Sequence, residues 1–309
     1  MSFAGLFKGK GASGFGYDST AEDVTARLDL SGRTLLVTGS NSGIGFETAR
    51  VLALRGARVI ATARTLEKAQ TACKQMSGVT QPLACELSEP RSILACVDAL
   101  AAEDVKIDGI ICNAGVMALQ KPERAFGYEL QFFCNHIGHF LLVTRLLARL
   151  TERGRVVMVS SGAHRGAPAA GIEFDNLSGE RNYAPWTAYG QSKLANLLFA
   201  KELARRLRGT SQTANAIHPG VIHTALGRHL PAVQRAALAF ASPLLLKTAA
   251  AGAATQCYVA THPALAQVSG EYFEDCNIAE PSAHAKNSEL ASRLWQESER
   301  IVAEVCATL

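Results

Sequence analysis

The sequence predicts a single α/β domain wound about a parallel sheet, and three observations carry that expectation. From Leu35 onward short apolar runs alternate with amphipathic stretches, and those runs are continuous, as in strands covered on both faces. No linker rich in Gly, Pro or Ser divides the chain after residue 30, and no internal repeat is visible.

Each element follows in order. The run ending at Val37 reads as a first strand, Ile44 to Leu54 as a helix, Arg58 to Ala63 as a second strand, and the stretch from Thr65 as a second helix. A strand near Val79 to Ala84, a helix near Pro90 to Ala101, and strands at Gly109 to Cys112 and Arg155 to Ser160 continue the alternation. Residues 1–30 stand apart as a Gly-rich N-terminal extension, read as partly flexible with packing over the sheet edge as the alternative. Residues 31–309 form the domain.

Composition narrows the function. The chain has 309 residues, 48% of them apolar, and 31 Lys+Arg against 27 Asp+Glu leave a net charge of +4 without any run of basic residues. That excludes disorder and gives no footprint for nucleic acid. The eight cysteines (73, 85, 96, 112, 134, 257, 276 and 306) are single and irregularly spaced, so no metal site is expected and a reducing, cytoplasmic compartment is. No signal peptide is read at the N-terminus, and the apolar stretch Ala236 to Leu246 is too short, and broken by Pro243, to make a transmembrane segment.

Directly after the first strand comes Thr38-Gly39-Ser40-Asn41-Ser42-Gly43-Ile44-Gly45, opening the first helix. Gly39 suits the tight turn, Gly43 lets backbone approach a pyrophosphate, and Gly45 lets helix and sheet close, the Rossmann-type arrangement for a dinucleotide at a helix N-terminus. The second strand ends Thr62-Ala63-Arg64, with no carboxylate to hold ribose hydroxyls. Arg64 matches a 2′-phosphate, so NADP (NADPH) is preferred and NAD remains possible; a solvated surface Arg is the plainer reading. Glu86-Leu87 is placed against the adenine, and Asn113-Ala114-Gly115 lines the crevice after the fourth strand.

Tyr189-Gly190-Gln191-Ser192-Lys193 opens an apolar helical run, so Tyr189 and Lys193 share a face one turn apart. A nearby ammonium would stabilise a phenolate and bring the phenol toward the working range.

Taken in order, TGSNSGIG, CNAG, FFCNHIGHFLL, Ser160-Ser161, YGQSK and HPGVIHT resemble the short-chain dehydrogenase/reductase family from about Gly32 to the C-terminus, and more narrowly its retinol-dehydrogenase and WW-domain-containing oxidoreductase branch. The resemblance implies Tyr189 as acid/base, Lys193 as the group lowering its pKa and holding the nicotinamide ribose, Ser161 as the substrate-oxygen partner with Ser160 competing, and Asn135 as support for a water relay. It implies a turn at Pro219-Gly220 beside the nicotinamide, Val221 on its ring and Thr224 at the phosphates or carboxamide. His136, His139 and His218 read as structural, with His164 and His223 left open. Glu86 and Cys112 depart from the family's usual Asp and Asn. The insert between Ser161 and Tyr189 reads as a rim loop anchored by Trp186. Segment 225–248 falls where the family places helical substrate lids, and its apolar content implies a small hydrophobic alcohol or carbonyl, retinoid-, steroid- or aliphatic-like. Alternatives are a light-dependent or enoyl-type reductase resembling protochlorophyllide reductase, and a non-catalytic nicotinamide-sensing binding protein. The resemblance also implies a homodimer as one possibility, since the family often pairs through the helices bearing Asn135 and Tyr189 while some of its branches are monomers.

Overall fold

A computed structural model describes residues 9–222 and 246–309. Eight strands form one sheet: β1 (Thr34–Val37), β2 (Arg58–Ala63), β3 (Thr80–Ala84), β4 (Ile107–Cys112), β7 (Leu150–Val159), β8 (Thr213–His218), β9 (Tyr272–Glu274) and β10 (Asn277–Ile278). Their order is β10-β9-β8-β7-β4-β1-β2-β3, all pairs parallel except β10 with β9. A separate hairpin pairs β5 (Arg124–Ala125) with β6 (Tyr128–Glu129). The doubly wound parallel sheet predicted above is therefore present, and β7 begins earlier than expected, at Leu150.

The strand order reverses between β1 and β4, where a ligand crevice opens at the carboxyl ends of such sheets. Leu35, Leu36 and Val37 of β1 are fully buried because helices cover both faces. On one face lie α1 (Ala21–Thr25), α2 (Gly43–Leu54) and α8 (Ala249–Thr261); the other carries α4 (Pro90–Ala102), α6 (Gly138–Leu146), α7 (Pro185–Arg206) and α9 (Ser288–Ala307). Helix α3 (Leu66–Cys73) starts where the Thr65 hydroxyl accepts from Lys68 N. Short α5 (Leu130–Phe132) runs into α6 through a π-helical stretch, Phe133–Ile137, that contains Asn135.

In the described part of the extension, residues 13–15 meet the β10 edge and α1 packs against α2 and α8. Asn277 of β10 accepts from Ser13 N at 3.0 Å and donates to Phe15 O at 3.1 Å, and the Phe15 ring meets Tyr258 edge-on at 5.6 Å. Helix α9 covers part of the face on which pairing through α6 and α7 was expected. Its Trp295 lies 5.0 Å from Phe140 and 5.6 Å from Phe199, with the Arg206 guanidinium 4.0 Å over the indole. Of the expected lid, residues 225–245 and Thr224 lie outside the described residues, as does His223; Ile222 pairs with Lys247 in a parallel bridge. Among the described residues no helix is long and apolar enough to cross a membrane, and no His/Cys/Asp/Glu group is set to hold a metal.

Candidate active site

The turn after β1 is built by close backbone approach. Gly39 has φ +71°, and a Cβ there would sit 3.0 Å from the Ala114 Cα. Thr38, which sequence reasoning passed over, stitches the two loops: its Oγ1 accepts from Asn113 N at 2.9 Å and Ala114 N at 3.0 Å, and Asn113 Nδ2 donates to Thr38 O at 2.8 Å. Behind it His139 bonds Thr38 Oγ1 at 2.9 Å through Nε2 and Asn135 O at 2.8 Å through Nδ1, a structural part in keeping with expectation.

These loops open onto a cleft walled by Gly39, Asn41, Ser42, Gly43, Ile44, Gly45, Arg64, Glu86, Leu87, Asn113, Ala114 and Gly115, twelve of the predicted cofactor residues; Tyr189, Lys193, Pro219, Gly220 and Val221 are not in its walls. Ser40 is not in them either. Its hydroxyl donates to Val37 O at 2.8 Å and its side chain is fully buried, because the turn points it back at the sheet. Ala63, Cys85, Ser88, Val116, Met117, Leu130 and Cys134 complete the walls, all but Ser88 of them apolar positions.

The donor set fits a dinucleotide. Ser42 precedes α2 without any side-chain cap, so the first-turn amides face the cleft, and Asn113 Oδ1 is buried without a protein partner. Arg64 stands at the end of β2 with its side chain about half exposed, 3.8 Å from the Glu86 carboxylate. Glu86 in turn accepts from Ser88 N and Oγ, which holds the carboxylate at the mouth beside the guanidinium.

The four residues of the expected catalytic set lie off the end of this cleft rather than in its walls. Tyr189 and Lys193 stand one turn apart on α7, the ammonium 5.7 Å from the centre of the phenol ring. Ser161 follows β7; its Oγ accepts from Ala163 N at 3.2 Å, and its hydroxyl lies close enough to the Tyr189 phenol to pull the phenol's pKa down. Ser160 is buried with its hydroxyl donating to Lys193 O at 2.7 Å, so of the two serines Ser161 faces the phenol. Asn135 is fully buried: its Oδ1 accepts from Val116 N at 2.8 Å and its Nδ2 donates to Val116 O and Ser192 Oγ, both at 2.9 Å, which locks the loop after Gly115.

The electrostatics differ from the sequence expectation. Burial pushes the Tyr189 phenol up to about 12, with the Ser161 hydroxyl pulling in the opposite direction. Burial also brings Lys193 down to about 8. The ammonium donates to Val159 O at 3.0 Å and lies 5.7 Å from the centre of the phenol ring, and desolvation is the larger influence on Tyr189.

Gly220 turns with φ +92°, and a Cβ there would meet the Lys247 side chain at 2.7 Å. Lys247 is buried, pairs with Asp275 at 2.6 Å and lies 4.7 Å from the Tyr17 ring, so the extension backs the Pro219-Gly220 turn. Val221 is 57% exposed. Trp186 is not a buried anchor of the rim: it lies in the first turn of α7, 46% exposed, edge-on to Tyr189 at 6.1 Å.

Comparison with known proteins agrees with this geometry. The sequence profile of short chain dehydrogenases matches residues 33–234. Short-chain dehydrogenase TIC 32 B, chloroplastic, of Brassica napus is 42% identical over 98% of this chain and 99% of its own length. Retinol dehydrogenase 11 of Homo sapiens is 41% identical over 89% of this chain and 87% of its own. A crystal structure of a putative uncharacterized protein from Mycobacterium paratuberculosis superposes with a TM-score of 0.75 at 35% identity, covering 90% of this chain and 97% of that one.

Proposed function

The chain belongs to the short chain dehydrogenase family of oxidoreductases, and from that premise we propose that it interconverts a hydrophobic alcohol and its aldehyde or ketone with NADP(H). The observation that carries the reading is the Tyr189 phenol beside the Ser161 hydroxyl, one helical turn from Lys193, beyond a cleft built for a dinucleotide.

Each group has a part. The uncapped amides of α2 would hold the pyrophosphate and Arg64 the 2′-phosphate of a cofactor that would supply hydride-transfer chemistry. Ser161 orients the substrate oxygen next to the phenol. With its pKa raised to about 12, Tyr189 is fully protonated at neutral pH, which suits it to donate to an oxygen gaining charge as a carbonyl becomes an alcohol. Lys193, at about 8, is largely charged at neutral pH and favours the phenolate left behind. Asn135 keeps the Val116 loop closed over this end of the site. Exposed Trp186 and Val221 beside the phenol and the Pro219-Gly220 turn support an apolar substrate. Thr224 retains its proposed place at the cofactor, and the free state of all eight cysteines supports a reducing, cytoplasmic setting. An intact proton donor argues against a pure sensor.

Thermal unfolding with NADPH, NADP⁺, NADH and NAD⁺ tests the cofactor half. The phosphorylated forms at a hundred times their Kd should stabilise by about 2.7 kcal/mol, and Arg64→Ala should erase their advantage over NAD(H). Equal shifts from all four in the unmodified protein would remove the NADP preference.

A further inference from the structure

Resting on the reading that Tyr189 and Ser161 act together on the substrate oxygen, we infer that His164 is a positioning residue that fixes Ser161 and ties it to the C-terminal segment. His164 lies in the 3₁₀ turn Gly162–Gly166 after β7, 1% exposed, its ring edge-on to Tyr272 at 5.3 Å. The partners of its two nitrogens are both main chain, which settles the proton positions. Ser282 offers an N–H, a donor only, 3.1 Å from Nε2, so Nε2 accepts. Ser161 offers a carbonyl, an acceptor only, 2.6 Å from Nδ1, so Nδ1 carries the proton and donates.

The Ser161 carbonyl also accepts from His164 N at 3.1 Å. One residue thereby holds that carbonyl twice, fixing the peptide plane after Ser161 and with it the direction of the side chain. Ser161 Oγ accepts from Ala163 N, which leaves its hydrogen free to donate, and the hydroxyl pulls the pKa of the nearby Tyr189 phenol down. The same turn is tied again to the C-terminal segment where Arg165 donates to Glu280 O at 2.6 Å. Burial, together with the Arg165 charge, holds the imidazole neutral, as the Ser282 bond requires, against the opposing pull of the Ser161 carbonyl. His164 therefore reaches the chemistry through Ser161, without lining the cofactor cleft.

The test measures NADPH-linked reduction of an apolar aldehyde by the full chain and by His164→Ala, His164→Asn and His164→Gln. An Asn amide places its donor near the Nδ1 position, whereas Gln places it near Nε2. Loss of the Ser161 contact should lower kcat between about tenfold and a hundredfold with the KM for NADPH unchanged. Asn should recover most of that loss and Gln little of it. Wild-type kcat in His164→Ala, or equal kcat in the Asn and Gln variants, would overturn the inference; if the Ala variant does not fold, the Asn and Gln pair decides. A wild-type protein without turnover would instead count against the Tyr189–Ser161 reading. The ¹⁵N resonances of the His164 ring then judge the arrangement separately: a proton on Nδ1 and a bare Nε2 support it, and a proton on Nε2 overturns it.

Discussion

Replacing Gly45 by Ala loads the cradle at its tightest point. A Cβ at this position would stand 2.3 Å from the Gly39 carbonyl oxygen and 2.3 Å from Asn113 Nδ2, with the Gly39 carbonyl carbon at 3.0 Å. Even a close carbon–oxygen contact needs about 3.3 Å, so α2 must retreat from the turn by about 1 Å. Asn113 has little freedom to yield, since its amide is bonded to Thr38 O at 2.8 Å. Overpacking of this kind costs about 1–3 kcal/mol, and a broken buried hydrogen bond adds about 1 kcal/mol. A total of about 2–4 kcal/mol lowers the unfolding midpoint of a large domain by about 5–15 °C. Gly166→Ala is the control: nothing lies within 4 Å of its Cβ and its φ is not positive, so it should stay within about 1 kcal/mol of the parent. Thermal unfolding with and without NADPH reads both effects, because retreat of α2 also withdraws the amides that hold the pyrophosphate. The parent should gain about 2.7 kcal/mol at a hundred times its Kd, and Gly45→Ala at the same concentration less than half of that. An unchanged midpoint together with an unchanged NADPH shift would refute the reasoning.

Three further outcomes are expected. Trp295→Ala should cost about 3–5 kcal/mol in denaturant unfolding, because the indole is 6% exposed and packed between Phe140, Phe199 and Arg206; a loss under 1 kcal/mol would mean that α9 contributes little to the core. Ser161→Ala should lower kcat at least tenfold, while Ser160→Ala should cost about 1 kcal/mol of stability with kcat within a factor of a few of the parent; the reverse pattern would reassign the two serines. Burial lowers His136 to about 3 and His139 to about 4, so between pH 6.5 and about 4 the unfolded chain binds protons that the folded chain refuses. Stability should therefore fall as pH falls through that window, by up to about 1.4 kcal/mol per pH unit for each histidine, and a flat profile from urea titrations would contradict the buried neutral rings.

What was legible in the sequence was local. The first strand, the Gly39–Gly45 turn and α2 are contiguous, and the three-glycine spacing states the backbone approach that the Asn113 and Ala114 contacts impose. Helical periodicity puts Tyr189 and Lys193 on one face, and their roles come from the family resemblance carried by the ordered motifs. Side-chain direction inside the turn was not legible, so Ser40 was placed in the cleft although it bonds Val37 O. Residues whose partners are distant in the chain were missed as organisers: Thr38 bonds Asn113 from 75 positions away, and His164 meets Ser282 from 118. The Tyr189 pKa was misjudged because a neighbouring charge is visible in sequence and burial is not. The N-terminal extension was ambiguous for the same reason, since Asn277 and Tyr258, which hold it, belong to the far end of the chain.

The most direct test of the central claim is the Tyr189→Phe variant, assayed for NADPH-linked reduction of apolar aldehydes beside its NADPH-induced thermal shift. Tyr189 is buried and only its hydroxyl is removed, so folding and cofactor binding should survive. The account predicts a loss of kcat of about a hundredfold to ten-thousandfold with the NADPH shift retained. A variant that turns over as fast as the parent would contradict it, because the proton would then come from another group.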